Sequence, residues 1–550
     1  MALSHSTTTI VARAAIGCIL VFSVLCTGCK KSATQADKAA AQGILLIGNK
    51  VAPSSLDPQL TTSVEECNIE RALFEGLVSP DPKTLAPEPA LADKWEVSAD
   101  GLRYTFHLRE GAAWSDGTPL TSADFLFAWR RLLTPSMASI NAPLLYCVRG
   151  AKAFNEGKST DFSTVAVSAP DARTLVVELE QPTPWFFGIL MHPATCALPQ
   201  KFIFSCGGAF NRSNGWTRKT DMPSSGAFVM AKWQSNSVIE VVKNTKYWDA
   251  AKVRLNAIRF FPIDSTNVEA TAFQGGQLHI TDTVPVNKVA HLRKEHDPAL
   301  RMEPYLGVYY YAFNTQHKPL DNPDVRNALS LAIDRKAIAE KLLGGAQIPA
   351  QSFIPDGVGG YEPAKLVTMD VARARVLLAK AGYPNGAGFP KFELLFNTSE
   401  NHRMIAEAVQ AMWKQNLGID VELRNEDFNS YLSTRGAGNF DILRASWVAD
   451  YPTAASFLDL LRSDSGNNFA RWKSADYDRL MNESKTAASD VARNELYRKA
   501  ESTMLNDAPI MPIYLYNTTR LISPDVHGWY GNAMDWHPYK YVWLEATKTK

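Results

Sequence analysis

Apolar positions along this chain recur at two periods, about every second residue or about every 3.6, and each switch predicts a new element. Ile44 to Ile47 form a short apolar strand that runs into Pro53-Ser-Ser-Leu-Asp-Pro58. Glu70 to Val78 carry apolar residues at helical spacing, stopped by Gly76 and Pro80. Tyr104, Phe106 and Leu108 alternate with Thr105 and His107, as a half-buried strand requires. Ser115-Asp-Gly117 supplies a turn, and Thr121-Ser-Ala-Asp124 is a capping box opening a helix through Trp129. Leu175, Val177 and Leu179 alternate beyond Asp171, and the block from Gly226 to Ile263 is strand-rich, with Val238 to Val242 before a turn at Lys243-Asn244.

In the second half, Val308-Tyr-Tyr-Tyr-Ala-Phe-Asn314 predicts a strand with Tyr309 and Tyr311 on one face and Tyr310 on the other. Asn322 caps a helix with Pro323 in its first turn and a stripe of Val325, Ala328, Leu329, Ala332 and Ile333. A helix from about His402 to Leu417 leads into a strand from Ile419 to Leu423. Further strands are Asp441 to Val448 and Met511 to Tyr516, the latter with Ile513 and Leu515 on one face and Tyr514 and Tyr516 on the other. Helices and strands interleave without an internal repeat, which predicts α/β lobes rather than a barrel or a bundle. At 550 residues, more than one lobe is expected.

The first residues read as an export signal, placed at 1–28. Arg13 is the only charged side chain before Lys30, and the apolar run Ala14 to Leu25 is too short to span a membrane. Thr27-Gly28-Cys29 resembles a bacterial lipobox, with Cys26 where leucine is usual; Cys29 would then be lipidated, and 29–41 would be a solvated tether. The alternative is a cleaved signal that releases a soluble protein. The net charge of +1 gives no basic field for nucleic acid. Beyond Cys18, Cys26 and Cys29, four cysteines remain: Cys67, Cys147, Cys196 and Cys206. An even number suits pairing in an oxidising compartment, and Cys196 with Cys206 could close a short loop, but sequence does not set the pairing. Their spacings match no zinc pattern, so neither metal nor cofactor is expected.

The richest chemistry lies in Arg444-Ala-Ser-Trp-Val-Ala-Asp-Tyr451. A lone carboxylate, Asp450, follows an apolar and aromatic run, with Arg435 and Arg444 upstream. An acid and bases this close suit a ligand carrying both an ammonium and a carboxylate, such as a free peptide. Nucleophile elbow, zinc-protease and phosphate-loop motifs are missing, so an enzyme is not expected. An exported peptidase, which would also recognise both peptide ends, is the alternative from that class.

Taken in order, Ser55-Leu-Asp-Pro58, Leu73-Phe-Glu-Gly-Leu77, Trp114-Ser-Asp-Gly-Thr-Pro119, Asn244-Thr-Lys-Tyr-Trp248, Val325-Arg-Asn-Ala-Leu329 and Ala332-Ile-Asp-Arg335 are similar to the extracellular peptide-binding family of ABC importers. Arg444 to Tyr451 narrows the resemblance to the oligopeptide-binding branch. It implies a two-lobed periplasmic-binding-protein fold (type II, cluster C) with an inserted third domain. Lobe I would take 42–74, 199–301 and 517–550, the insertion 75–198, and lobe II 302–516. It further implies a monomeric receptor in the periplasm or cell envelope, held to a membrane by its lipid, that passes short peptides to the permease subunits of an ABC importer.

The family's residues map onto this sequence one by one. Asp450 matches the carboxylate that pairs with a ligand's α-amino group. Arg444, Arg435 and His402 match basic residues around ligand carboxylates, His402 acting as imidazolium or through water. For Arg435 a structural pair with an acid such as Asp441 is an equal alternative. Trp447 matches outright, and Phe428 stands where a tryptophan is usual in a side-chain pocket. Tyr310, Tyr514 and Tyr516 are further cleft candidates. Leu343 stands where a carboxylate-binding lysine is known, which leaves the preferred peptide length open. A receptor for murein peptides, dipeptides or a metal chelate is the alternative within the fold.

Overall fold

The computed structural model describes residues 33–61 and 63–545. The expected signal peptide, Cys29 and the start of the tether lie outside the described residues. The first lobe is built on a four-stranded sheet. Its strand β1 (Ile44–Gly48) enters first, and the inserted domain follows with its own antiparallel sheet of β2 (Ala92–Val97), β3 (Arg103–Leu108), β4 (Val167–Asp171) and β5 (Thr174–Glu178). The chain then returns with β6 (Phe228–Gln234), β7 (Val238–Lys243) and β8 (Ala257–Phe261), giving the order β1-β8-β7-β6. The second lobe has a six-stranded sheet made of β9 (Leu300–Phe313), β10 (Ile348–Pro349), β11 (Phe392–Asn397), β12 (Val421–Glu426), β13 (Ile442–Val448) and β14 (Ile510–Leu521), in the order β10-β14-β9-β13-β11-β12. Parallel and antiparallel pairs mix in both lobe sheets.

β9 and β14 are both longer than the apolar alternation predicts. They pair antiparallel from Leu300↔Leu521 to Pro304↔Asn517, with a register shift before Val308. The two lobe crossings expected at 301/302 and 516/517 therefore fall inside one two-stranded ribbon, a place where small φ/ψ changes can rotate one lobe against the other.

The tether expectation needs correction. Gln35–Ala41 is a helix, α1, capped by Thr34 in a capping box with Asp37. Ala36, Ala39 and Ala40 are buried, and the Ala36 amide donates to Gly276 O at 2.8 Å. His279 Nδ1 accepts from the Leu46 amide (3.0 Å), which leaves its Nε2–H for the Ala36 carbonyl (3.0 Å). Any free linker ends before Thr34. The four remaining cysteines are unpaired thiols, and burial pushes Cys67 and Cys147 up to about 12. A short helix, Gln200–Ser205, fills the segment between Cys196 and Cys206, so the small loop those residues would have closed is not formed.

Several of the ordered motifs act as ties between segments. Asp57 pairs with the fully buried Arg131 of helix α2 (Ser122–Leu133), joining lobe I to the inserted domain. Glu75 accepts from Tyr247 Oη and from Trp248 Nε1 (2.5 Å), so two distant motifs interlock. Arg326 reaches Asp507, and Arg335 donates to the Pro512 carbonyl. Among the described residues no helix is long and apolar enough to cross a membrane.

Candidate functional site

β13 packs between β9 and β11 and carries Arg444 and Trp447, and just beyond its end Tyr451 meets Trp185 of the inserted domain. Across the ladder Arg444 lies opposite Tyr311, and Tyr310 lies opposite Ala445. Cross-strand partners share a face, so Arg444 projects with Tyr309 and Tyr311 and away from Tyr310.

Arg444 is only 8% exposed. Its Nη1 donates to Asn397 Oδ1 and its Nη2 to Tyr516 Oη, both at a long 3.4 Å. It stacks 4.5 Å from the Tyr309 ring, which in turn stacks on Tyr514 (4.8 Å, 21°). Gly307 allows this arrangement, since a Cβ there would lie 2.8 Å from the Tyr516 ring. Among the described residues no carboxylate lies within ion-pairing distance of Arg444, and its Nε is buried without a partner. A buried cation so loosely held is a ready partner for an incoming anion. His402 sits 5.6 Å from Tyr309 with Nδ1 buried and unpartnered. Burial, reinforced by the charge of Arg444, pushes its imidazole down to about 3. Both causes favour the neutral imidazole in the ligand-free protein.

Asp450 follows the end of β13. Its amide donates to Ser456 Oγ (3.1 Å), which also lies 3.5 Å from Trp447 Nε1, so residues 447–456 are held as one unit. The carboxylate has no hydrogen bond or ion pair among the described residues, and desolvation alone pushes it up to about 6. The side chain is nonetheless solvent-accessible. Both facts fit a crevice in which protein displaces much of the water without sealing the group off.

The remaining candidates divide. Phe428 is 57% exposed and stacks on Tyr431 (6.2 Å, 16°), while Trp447 and Tyr516 are half-buried. Arg435 lies 4.3 Å from the Phe469 ring. The Asp441 that a structural pair would have used is taken by His317 Nδ1 and the Glu393 amide, both at 3.0 Å. Tyr514 is buried and supports Arg444 from behind through Tyr309. Tyr310 is 3% exposed, edge-on to Phe353 in the core on the opposite face, so it is not brought into the cluster. Leu343 is buried in the core of lobe II, but Lys341 lines a cavity of about 700 Å³ between the lobes. Thr283 and Asn287 face it from lobe I, and Gln347, Glu400 and Asn401 from lobe II. Lys341, in a largely apolar stretch without a motif, is a cation that sequence reading missed. Arg444 and the end of β13 are about 13 Å apart along the strand, the order of a short extended peptide at ~3.3 Å per residue.

Known proteins share this chain's sequence and fold. Residues 86–469 match the family model for bacterial extracellular solute-binding proteins, family 5 Middle. The chain is 39% identical to the periplasmic murein peptide-binding protein MppA of Escherichia coli (strain K12), over 87% of this chain and 88% of that protein. It is 38% identical to the periplasmic oligopeptide-binding protein OppA of Salmonella typhimurium, with the same shares covered. The crystal structure of Haemophilus influenzae OppA in complex with RPPGFSPFR superposes with a TM-score of 0.78 at 34% identity, covering 92% of this chain and 99% of that one. A two-lobed α/β frame, an interlobe seam and a match over most of the chain lead to one assignment: this chain belongs to the bacterial extracellular solute-binding proteins, family 5.

Proposed function

We propose that this chain is a receptor that captures short free peptides between its lobes and hands them to an ABC importer in the cell envelope. The observation that carries this reading is the unpartnered, desolvated carboxylate of Asp450, with the unpaired guanidinium of Arg444 further along the same segment. Opposite charges at two ends of a seam match the two ends of a zwitterionic chain, and backbone pairing along the seam would be indifferent to side chains. The relatives named for oligopeptides and murein peptides support the same ligand class. Murein peptides also carry a free amino end, so a receptor for them is the alternative within the same fold.

Calorimetry with tri-alanine and with its N-acetylated form tests the reading. The free peptide binds, and acetylation weakens binding by at least about thirtyfold, because the ammonium that satisfies Asp450 is gone. Equal affinities would remove Asp450 from the site. The chain acts as a monomer in this scheme and is anchored through a lipid on Cys29. Mass spectrometry of the mature N-terminus is expected to find a diacylated or triacylated Cys29; an unmodified terminus would mean a released protein.

A further inference from the structure

Asp450 is followed by a residue that ties the second lobe to the inserted domain. The Tyr451 ring lies 5.9 Å from that of Trp185 at an interplanar angle of 8°, a stacked pair. Trp185 precedes the short helix Phe186–Leu190, whose two leading residues are rooted in the aromatic core of the inserted domain. Phe186 meets Tyr104 at 4.9 Å, and Phe187 meets Trp95 at 5.3 Å and Tyr104 at 5.7 Å. One turn on, Gly188 presents bare backbone to the same loop. A Cβ there would lie 2.9 Å from Tyr451 Cβ and 3.4 Å from Pro452 Cδ. On the other side, residues 447–456 are braced by Ser456, which holds the Asp450 amide. A rigid platform and a braced loop therefore meet through one aromatic stack, directly beside the unpaired carboxylate.

We propose that Trp185, Tyr451 and Gly188 form a clasp that holds the inserted domain against lobe II, and so sets how long a ligand stays bound. The inference rests on the receptor reading given above. Trp185 and Gly188 are positioning residues: they reach the ligand through the loop that carries Asp450. Parting the inserted domain from lobe II would break this stack, whereas a ligand enters through an open seam. Its energy therefore acts on dissociation and leaves association nearly unchanged. The lobes also touch at the hinge end, where a Cβ on Gly344 would lie 2.9 Å from Val286 O and Arg293 Nη1 donates to Gly345 O (3.2 Å). That contact lies beside the interlobe ribbon, so loss of the clasp frees the outer end of the seam while the hinge end stays intact.

The test uses the full mature protein and tri-alanine as the probe, with association and dissociation rates from stopped-flow fluorescence. Trp185→Ala speeds dissociation about tenfold, the order of a lost aromatic pair and its packing, with association changed less than twofold. Trp185→Phe keeps most of the stack and restores slow dissociation. Gly188→Val, whose side chain would wedge the seam, speeds dissociation further, and X-ray scattering with saturating peptide then gives a larger radius of gyration than wild type. Far-UV circular dichroism of Trp185→Ala matches wild type, which separates the clasp from a folding role. Dissociation within twofold of wild type in Trp185→Ala, or no rescue by Trp185→Phe, overturns the clasp alone. A wild-type protein that does not bind tri-alanine overturns the receptor reading and the clasp with it.

Discussion

Asp450→Asn weakens the binding of tri-alanine by about 2–5 kcal/mol, roughly 30- to 4,000-fold, with no change in fold. Asparagine keeps the shape of the side chain and removes only the charge, leaving the ligand ammonium desolvated without a counter-ion. The same substitution leaves the N-acetylated peptide bound as weakly as before, so the two changes are not additive and their coupling measures the ion pair. The pH profile gives an independent check. In the ligand-free protein, burial holds the Asp450 carboxyl up at about 6. A bound ammonium favours the ionised form and lowers that value. Protonation therefore competes with the ligand below pH 6, and affinity falls by up to about tenfold per pH unit on the acid side. Between about pH 6 and the titration of the peptide's amino group near 8, affinity is flat. In Asp450→Asn the acid limb disappears. Persistence of that limb in the variant would assign it to another group and remove Asp450 from the site.

Why this residue was legible and others were not follows from what each depends on. Asp450 and Arg444 lie in one short segment, six residues apart on and just beyond β13, so a pattern in the sequence suffices to find them. The role of Tyr310 depended on its face. Alternation within β9 correctly separates it from Tyr309 and Tyr311, but only the pairing of Tyr311 with Arg444 shows which face carries the charge. Alternation also stops short at the lobe crossings. Residues 300–307 include Arg301, Glu303 and Pro304, which no single core constrains, so the extension of β9 leaves no period-two signal. The helix α1 hides among small and polar residues because it buries mainly alanines and relies on His279, far along the chain. Trp185 and Gly188 share this property: their partner, Tyr451, is in another lobe, and no local period reports such a contact. The motifs that gave the family away fared differently. Most of them turn out to be ties that hold segments together, such as Glu75 with Tyr247 and Trp248, while the proposed ligand chemistry draws on the single run from Arg444 to Tyr451.

Asp57→Ala destabilises the protein by about 3–5 kcal/mol, although the residue is remote from Asp450 and its loop. Asp57 Oδ2 accepts from Arg131 Nη2 (2.6 Å) and Trp216 Nε1 (2.9 Å), and Oδ1 accepts from Arg131 Nη1 (3.1 Å) and the Gln59 amide (3.2 Å). Arg131 itself is fully buried, with Nε on the Ala209 carbonyl (2.8 Å). Removing the acid leaves a guanidinium in the interior with no counter-charge, and two further donors lose their acceptor. The loss belongs to the stranded charge and not to a large intrinsic worth of the pair, because desolvation offsets much of a buried ion pair's attraction. That distinction yields the decisive comparison. Asp57→Ala with Arg131→Met removes the stranded charge and recovers more than half of the lost stability in urea denaturation followed by tryptophan fluorescence and circular dichroism. If the double variant is no more stable than Asp57→Ala, the network works by shape rather than by charge. If Asp57→Ala alone costs less than about 1 kcal/mol, water reaches Arg131, and the seam between lobe I and the inserted domain is looser than these distances imply.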